Sequence, residues 1–118
     1  MALGAIDNTA PSPKYLKLID GLTRKQASLI TQFRTSHVPL NYLLFRIHKV
    51  DSPACPHCGG ITVETIRHYI LECPHHAAAR HALRLKLGRH ASEIPTLLHD
   101  KLAIREFLRY VHATGRFK

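Results

Sequence analysis

An all-α domain of five to six helices is the fold the sequence predicts, and three observations carry that expectation. The chain has 118 residues with no Trp, four Phe and four Tyr, so its 45% hydrophobic content is mostly Leu, Ile, Val and Ala, a palette suited to packed helices. Apolar residues recur at helical rather than alternating spacing. Helix-capping and helix-stopping residues fall at the ends of those stretches.

Residues 1–13 carry Gly, Asn, Ser and Pro without periodicity and read as a tail or linker, leaving residues 14–118 as a single helical domain. Tyr15-Leu16-Lys17-Leu18-Ile19 predicts a short helical turn ending at Asp20-Gly21. Thr23 predicts an N-cap, with Gln26 completing a capping box. Gln26, Leu29, Ile30 and Phe33 lie on one side of the helix it opens, with Arg24, Ser28 and Thr35 on the other. Pro39 can begin a second helix, with Leu40, Leu43, Leu44 and Ile47 as its buried stripe. Residues 64–71 form a short helix in this reading. Pro74 opens a longer one through Leu87, stopped by Gly88. Ser92 caps a short helix to Leu98 that holds Pro95 in its first turn. Asp100 caps the last, which runs to about His112 with Gly115 beyond it.

Seventeen Lys and Arg oppose eight Asp and Glu, for a formal charge of +9. Residues 1–50 hold seven bases and two acids, and residues 74–118 hold nine and three. Between them, only Arg67 opposes Asp51, Glu64 and Glu72. A basic surplus of this size suits a polyanionic partner, nucleic acid being the commonest, or simply solubilises helix surfaces. No apolar run approaches a membrane span, and the N-terminus lacks the basic start and apolar stretch of a secretory signal.

Three cysteines, two of them separated by two residues, argue against a disulfide framework and for metal ligation in a reducing compartment, so the chain is expected inside the cell. Cys55 and Cys58 are followed after nine residues by His68 and after four more by Cys73. Cys3His is a closed, four-ligand structural zinc set. Pro56 stiffens the turn between the first two cysteines, and Gly59 and Gly60 permit positive φ just after it. A thioredoxin-like redox pair belongs beside a strand–helix unit, which this sequence does not suggest. His57 lies inside the clasp and is expected to point away, whereas His75 and His76 follow Cys73 closely enough to replace His68 in a rearranged site. One structural zinc ion leaves no open coordination position, and the chain carries no Walker A, H-E-x-x-H or G-x-S-x-G motif, so no catalysis is expected of it alone.

Two helices predict cationic faces. In the last, Lys101, Arg105 and Arg109 fall at i, i+4 and i+8 with His112 close by. Ala103, Ile104, Phe107, Leu108, Tyr110 and Val111 fill the opposite arc. After Pro74, Arg80, Arg84 and His81 share one face in this reading and Ala78, Ala82 and Leu85 the other. Such rows match phosphate spacing, and they equally describe ordinary solvated faces. No aromatic residue alternates with these bases, so stacking on single strands is not signalled there.

The strings Cys55-Pro56-His57-Cys58-Gly59, Glu64-Thr65-Ile66-Arg67-His68-Tyr69 and Leu71-Glu72-Cys73-Pro74 resemble the CCHC zinc-binding module at the C-terminal end of non-LTR retrotransposon reverse transcriptases. The likeness continues through Tyr15-Leu16-Lys17-Leu18, His37-Val38-Pro39-Leu40-Asn41 and His112-Ala113-Thr114-Gly115-Arg116-Phe117, and is greatest to fungal elements, where the module follows a ribonuclease H domain. The resemblance implies a C-terminal piece of a retroelement polyprotein with its own Met1, in which Cys55, Cys58, His68 and Cys73 hold zinc. It implies a non-catalytic accessory domain that binds DNA or RNA without sequence preference. The alternative is a docking module packed against the reverse transcriptase or ribonuclease H domain. The polymerase, ribonuclease H and endonuclease signatures of such polyproteins do not occur in this sequence. A nuclear location is the corresponding expectation.

Overall fold

The computed structural model describes residues 18–117. The expected tail, residues 1–13, and residues 15–17 of the first expected turn lie outside them. In chain order the elements are α1 (Arg24–Arg34), α2 (Asn41–Arg46), a π-helical turn (His68–Glu72), and a 3-10 turn (Pro74–His76) running into α3 (Ala77–Leu87). A second 3-10 turn (Gly88–Ser92), α4 (Ile94–His99) and α5 (Lys101–Thr114) follow. The fold is all-α; the sole β feature among the described residues is a bridge between Ala54 and Val63.

α1 begins at its capping box: Gln26 N donates to Thr23 Oγ1 at 3.1 Å, and Thr23 N donates to Gln26 Oε1 at 3.0 Å. It ends in a Schellman arrangement, with Ser36 at φ 63° and bonds from Ser36 N to Phe33 O and from His37 N to Gln32 O. α2 ends the same way around His48, at φ 62°, with Lys49 N donating to Leu44 O at 2.7 Å. α5 starts where Asp100 accepts from Ala103 N at 2.9 Å and stops at Gly115, whose φ of 65° is left-handed.

Three element starts differ from expectation. Pro39 precedes α2 instead of opening it, and Leu40 is the N-cap. Ser92 closes a 3-10 turn, while Glu93 occupies the N-cap of α4 with Pro95 inside the first turn. The helix foreseen over residues 64–71 begins at residue 66 and ends as the π turn, because Glu64 is drawn into the interior.

The core is formed by Ile30 and Phe33 of α1, Val38 and Leu40 beyond it, Tyr69 and Ile70 of the π turn, Leu83 of α3, Leu97 and Leu98 of α4, and the apolar side of α5. All six residues assigned to that side of α5 are buried. Packing of α3 on α5 is the most extensive helix–helix contact. Tyr69 sits at the centre of an aromatic group, 5.5 Å from Tyr110, 5.5 Å from Phe117 and 6.0 Å from Phe33 between ring centroids. Its hydroxyl meets Thr114 Oγ1 at 2.7 Å and its carbonyl accepts from the Tyr110 hydroxyl, so no polar atom of this buried tyrosine lacks a partner by these contacts.

Of two expected buried stripes, that of α2 holds in part, with Leu40 buried and Leu43 and Leu44 half-buried, and that of α3 is not observed. Ile47 is exposed, since α2 is only six residues long and the chain reverses at His48 before Ile47 can reach the core. On α3, Ala78, Ala82 and Leu85 face solvent, with Leu85 74% exposed, while Leu83 and Arg80 point inward. The helix is rotated relative to the expected face because Arg80 has a buried task, described below.

A second buried polar group ties distant segments together. Glu64, 1% exposed, receives Arg116 bidentately, Nε at 2.9 Å and the terminal nitrogen at 2.8 Å. Its Oε1 also accepts from Asn41 N at 2.7 Å, so a carboxylate 23 residues away caps α2, whose own N-cap is a leucine. Asn41 Nδ2 donates to Ala54 O at 2.8 Å, joining α2 to the cysteine loop. Glu64→Ala leaves the Arg116 guanidinium without its carboxylate, and we expect a loss of about 3–5 kcal/mol in urea unfolding. An unchanged midpoint would show that the pair contributes nothing net.

Candidate metal centre

Cys55 and Cys58 sit in a tight clasp between the two halves of the Ala54–Val63 bridge. Cys55 N donates to Thr62 O at 2.7 Å, Cys58 N to Cys55 O at 3.3 Å, and Glu64 N to Pro53 O at 2.9 Å. The reversal runs through Gly59 and Gly60 at φ 65° and 77°, the left-handed conformation expected of this pair. Opposite the clasp, the helical segment from residue 66 opens with His68 N donating to Thr65 Oγ1 at 3.0 Å.

His68 and Cys73 are brought together by the π turn. In a regular α-helix, side chains five residues apart point about 140° away from each other. Here Cys73 N donates to His68 O at 2.8 Å, an i→i+5 bond whose wider winding reduces that angle and turns both side chains toward the clasp. Arg80 secures the end of this turn. Its Nε donates to Ile70 O at 2.9 Å and its terminal nitrogen to Cys73 O at 2.8 Å, the latter a second donor to a carbonyl that also accepts from His76 N at 3.2 Å. Arg80 is therefore a buried strut and not part of a phosphate-facing row, which corrects the expectation for α3.

The ligand atoms of Cys55, Cys58, His68 and Cys73 all lie within 4.8 Å of one another. The Cys55 and Cys73 sulfurs are 3.7 Å apart, Cys58 and Cys73 3.8 Å, and Cys58 Sγ lies 3.4 Å from His68 Nε2. A tetrahedron with Zn–S bonds of about 2.3 Å and Zn–N of about 2.0–2.1 Å has S–S edges of about 3.8 Å and S–N edges of about 3.6 Å. The donor set and its spacing thus fit a metal ion and are compatible with zinc. Burial, with the Cys73 and Cys58 sulfurs adding to it, pushes the Cys55 thiol up to about 12; burial also raises that of Cys58, with Cys55 opposing the rise and Cys73 adding to it. Burial thus favours the neutral thiols of Cys55 and Cys58; a bound dication reverses the balance and stabilises thiolates. His68 Nδ1 is buried with no hydrogen-bond partner among the described residues. Glu72 Oε1, 4.0 Å away, is the nearby carboxylate that would orient the imidazole.

The competing histidines have other places. His57 stacks on His75 with centroids 3.7 Å apart and planes 9° from parallel, outside the ligand set. His76 is buried with its ring 5.2 Å from that of Tyr69, and burial, with His75 and His57 beside it, lowers its pKa to about 4. Of the cationic residues singled out from sequence, Arg84, Lys101, Arg105 and Arg109 are exposed, as is His112. Arg109 lies 3.7 Å from Glu106. The sequence reading missed the Arg80 strut and the Glu64–Arg116 pair, whose partners are separated by long stretches of chain with no local signal.

Set against known protein families, curated proteins and solved structures, the chain matches none. No helix among the described residues is long and apolar enough to cross a membrane.

Cys73→Ser removes the ligand shared between the clasp and the π turn. Bound metal should fall from one equivalent to none by metal analysis. Loss of order from the clasp through α3 should lower the melting temperature by on the order of 10 °C, the equivalent of a few kcal/mol in a domain this size. Unchanged helix content and melting temperature would contradict this.

Proposed function

We propose that this chain is a zinc-stabilised, non-catalytic nucleic-acid-binding domain, in keeping with its resemblance to the C-terminal module of non-LTR retrotransposon reverse transcriptases. The observation that carries the reading is the division of α5. Its six apolar residues are buried in the core, and Lys101, Arg105 and Arg109 stand exposed along the opposite side. Successive members of that row are about 6 Å apart along the helix axis. Arg84 on α3 adds a further exposed base. Zinc is the metal we assign to the Cys3His set, since three thiolates and an imidazole at tetrahedral spacing suit it best. Four protein ligands fill its coordination, so the ion holds the clasp to the helices and does no chemistry.

A second reading, docking against a neighbouring reverse transcriptase or ribonuclease H domain, is favoured by exposed aliphatic side chains near the clasp. Ile61 is 88% exposed and Ile47 49%. Failure of the chain to associate with a separately purified upstream domain in a pull-down would remove it.

The leading reading is tested by titrating duplex DNA and RNA at several salt concentrations. Affinity should fall steeply with salt, and the paired substitution Arg105→Ala and Arg109→Ala should reduce the slope of log K against log salt by roughly two. Binding that is absent, or insensitive to salt, would overturn it.

A further inference from the structure

We infer that α2 and the turn after it form a stacking platform for unpaired nucleic acid, separate from the cationic row of α5. The inference rests on the nucleic-acid reading above and names the form of strand that this second surface takes.

The platform combines open rings with cations. Tyr42 and Phe45, one helical turn apart on α2, are 45% and 43% exposed, an unusual fate for two of the chain's eight Tyr and Phe residues. Arg46, His48 and Lys49 follow, all exposed, and from Asn41 to Val50 there is no acid. The Arg46 guanidinium lies 5.7 Å from the Tyr42 ring centroid, so charge and ring are already assembled. Beside them a groove of about 370 Å³ opens between α2 and the start of the π turn. Val38, Leu40, Leu43 and Tyr42 supply its apolar lining, and Arg46 and Arg67 also border it.

The carboxylates nearby do not oppose an anionic ligand strongly. Glu64 also borders the groove, but its charge is matched by the bidentate Arg116. Glu72 pairs with Arg67 at 3.3 Å on an exposed surface, a contact weak enough to exchange for phosphate. Asp51 lies in the turn beyond Lys49. Rings that can stack on bases, an apolar groove and arginines that can take phosphates are the combination used to hold single strands. A purely apolar protein partner would leave the two cations of this segment, Arg46 and Lys49, uncompensated. Duplex bases are already stacked and cannot use the rings, so the surface favours an unpaired strand.

α2 is held where it is by the buried contacts already described. Asn41 is bonded to Glu64 and Ala54, and Tyr42 N donates to Glu64 O at 3.2 Å, which links the platform directly to the cysteine clasp.

The test uses the zinc-loaded chain of residues 1–118 with oligothymidylate, oligouridylate and a hairpin duplex as probes. The chain contains no Trp, so Tyr42→Trp introduces a single indole on the platform. Its emission should be quenched by the unpaired oligonucleotides and little changed by the duplex. Phe45→Ala and Tyr42→Ala should each weaken unpaired-strand binding roughly tenfold and leave duplex binding intact. Arg105→Ala with Arg109→Ala should weaken duplex binding instead. Circular dichroism and zinc content confirm that each variant is folded; a misfolded alanine variant is replaced by Leu at the same position, which keeps the packing and removes the aromatic ring. Unpaired-strand binding unaffected by loss of either ring, or an unquenched indole, overturns the platform while the α5 reading stands. Absence of all nucleic-acid binding overturns both. Loss of self-association or of upstream-domain capture in the ring variants, with oligonucleotide binding unchanged, assigns the face to protein contact and overturns the proposal.

Discussion

The bond from Cys73 N to His68 O is the constraint on which the rest of the architecture depends. It widens one helical turn so that an imidazole and a thiol five residues apart face the same point, opposite a clasp that carries two more thiols. The residue after His68 is Tyr69, at the middle of the aromatic core. The candidate metal site and the hydrophobic core therefore share consecutive residues of one turn. Loosening either must disturb the other.

Buried polar side chains convert this junction into a fixed arrangement of helices. Arg80 reaches from α3 to the carbonyls of the π turn, and Arg116 reaches from beyond α5 to Glu64, which in turn caps α2. Each group satisfies backbone or charge that would otherwise be stranded in the interior. Hydrophobic burial is non-directional and can accept several helix rotations; these few hydrogen bonds select one. The consequence for function is positional. The cationic side of α5 and the ring-bearing α2 are both referred to the same cysteine clasp, through the core in the first case and through Asn41 in the second.

Much of the fold was legible from local chemistry. The capping box at Thr23, the Asp100 cap, Gly115 at the end of α5 and the glycine reversal after Cys58 depend only on residues within a few positions of each other. The six buried residues of α5 were legible because the helix is long and its two sides differ sharply. α3 was misread for the opposite reason. Alanines and a leucine at helical spacing looked like a core stripe, yet Arg80 and not Leu85 lies in the interior, where its guanidinium donates to the carbonyls of Ile70 and Cys73. α2 was misread because left-handed Ser36 and His48, not glycines, set where the neighbouring helices end.

The order of the ligands Cys55, Cys58, His68 and Cys73, the helical class and the excess of positive charge are properties of the chain read linearly, since each rests on residue identity and short spacing. Which arginine is buried and which is free, where Glu64 finds its counter-charge, and which aromatic rings stay open to solvent are not. Those outcomes join residues as far as 52 positions apart and follow from competition for the interior, where an unsatisfied carbonyl or carboxylate costs more than an exposed ring.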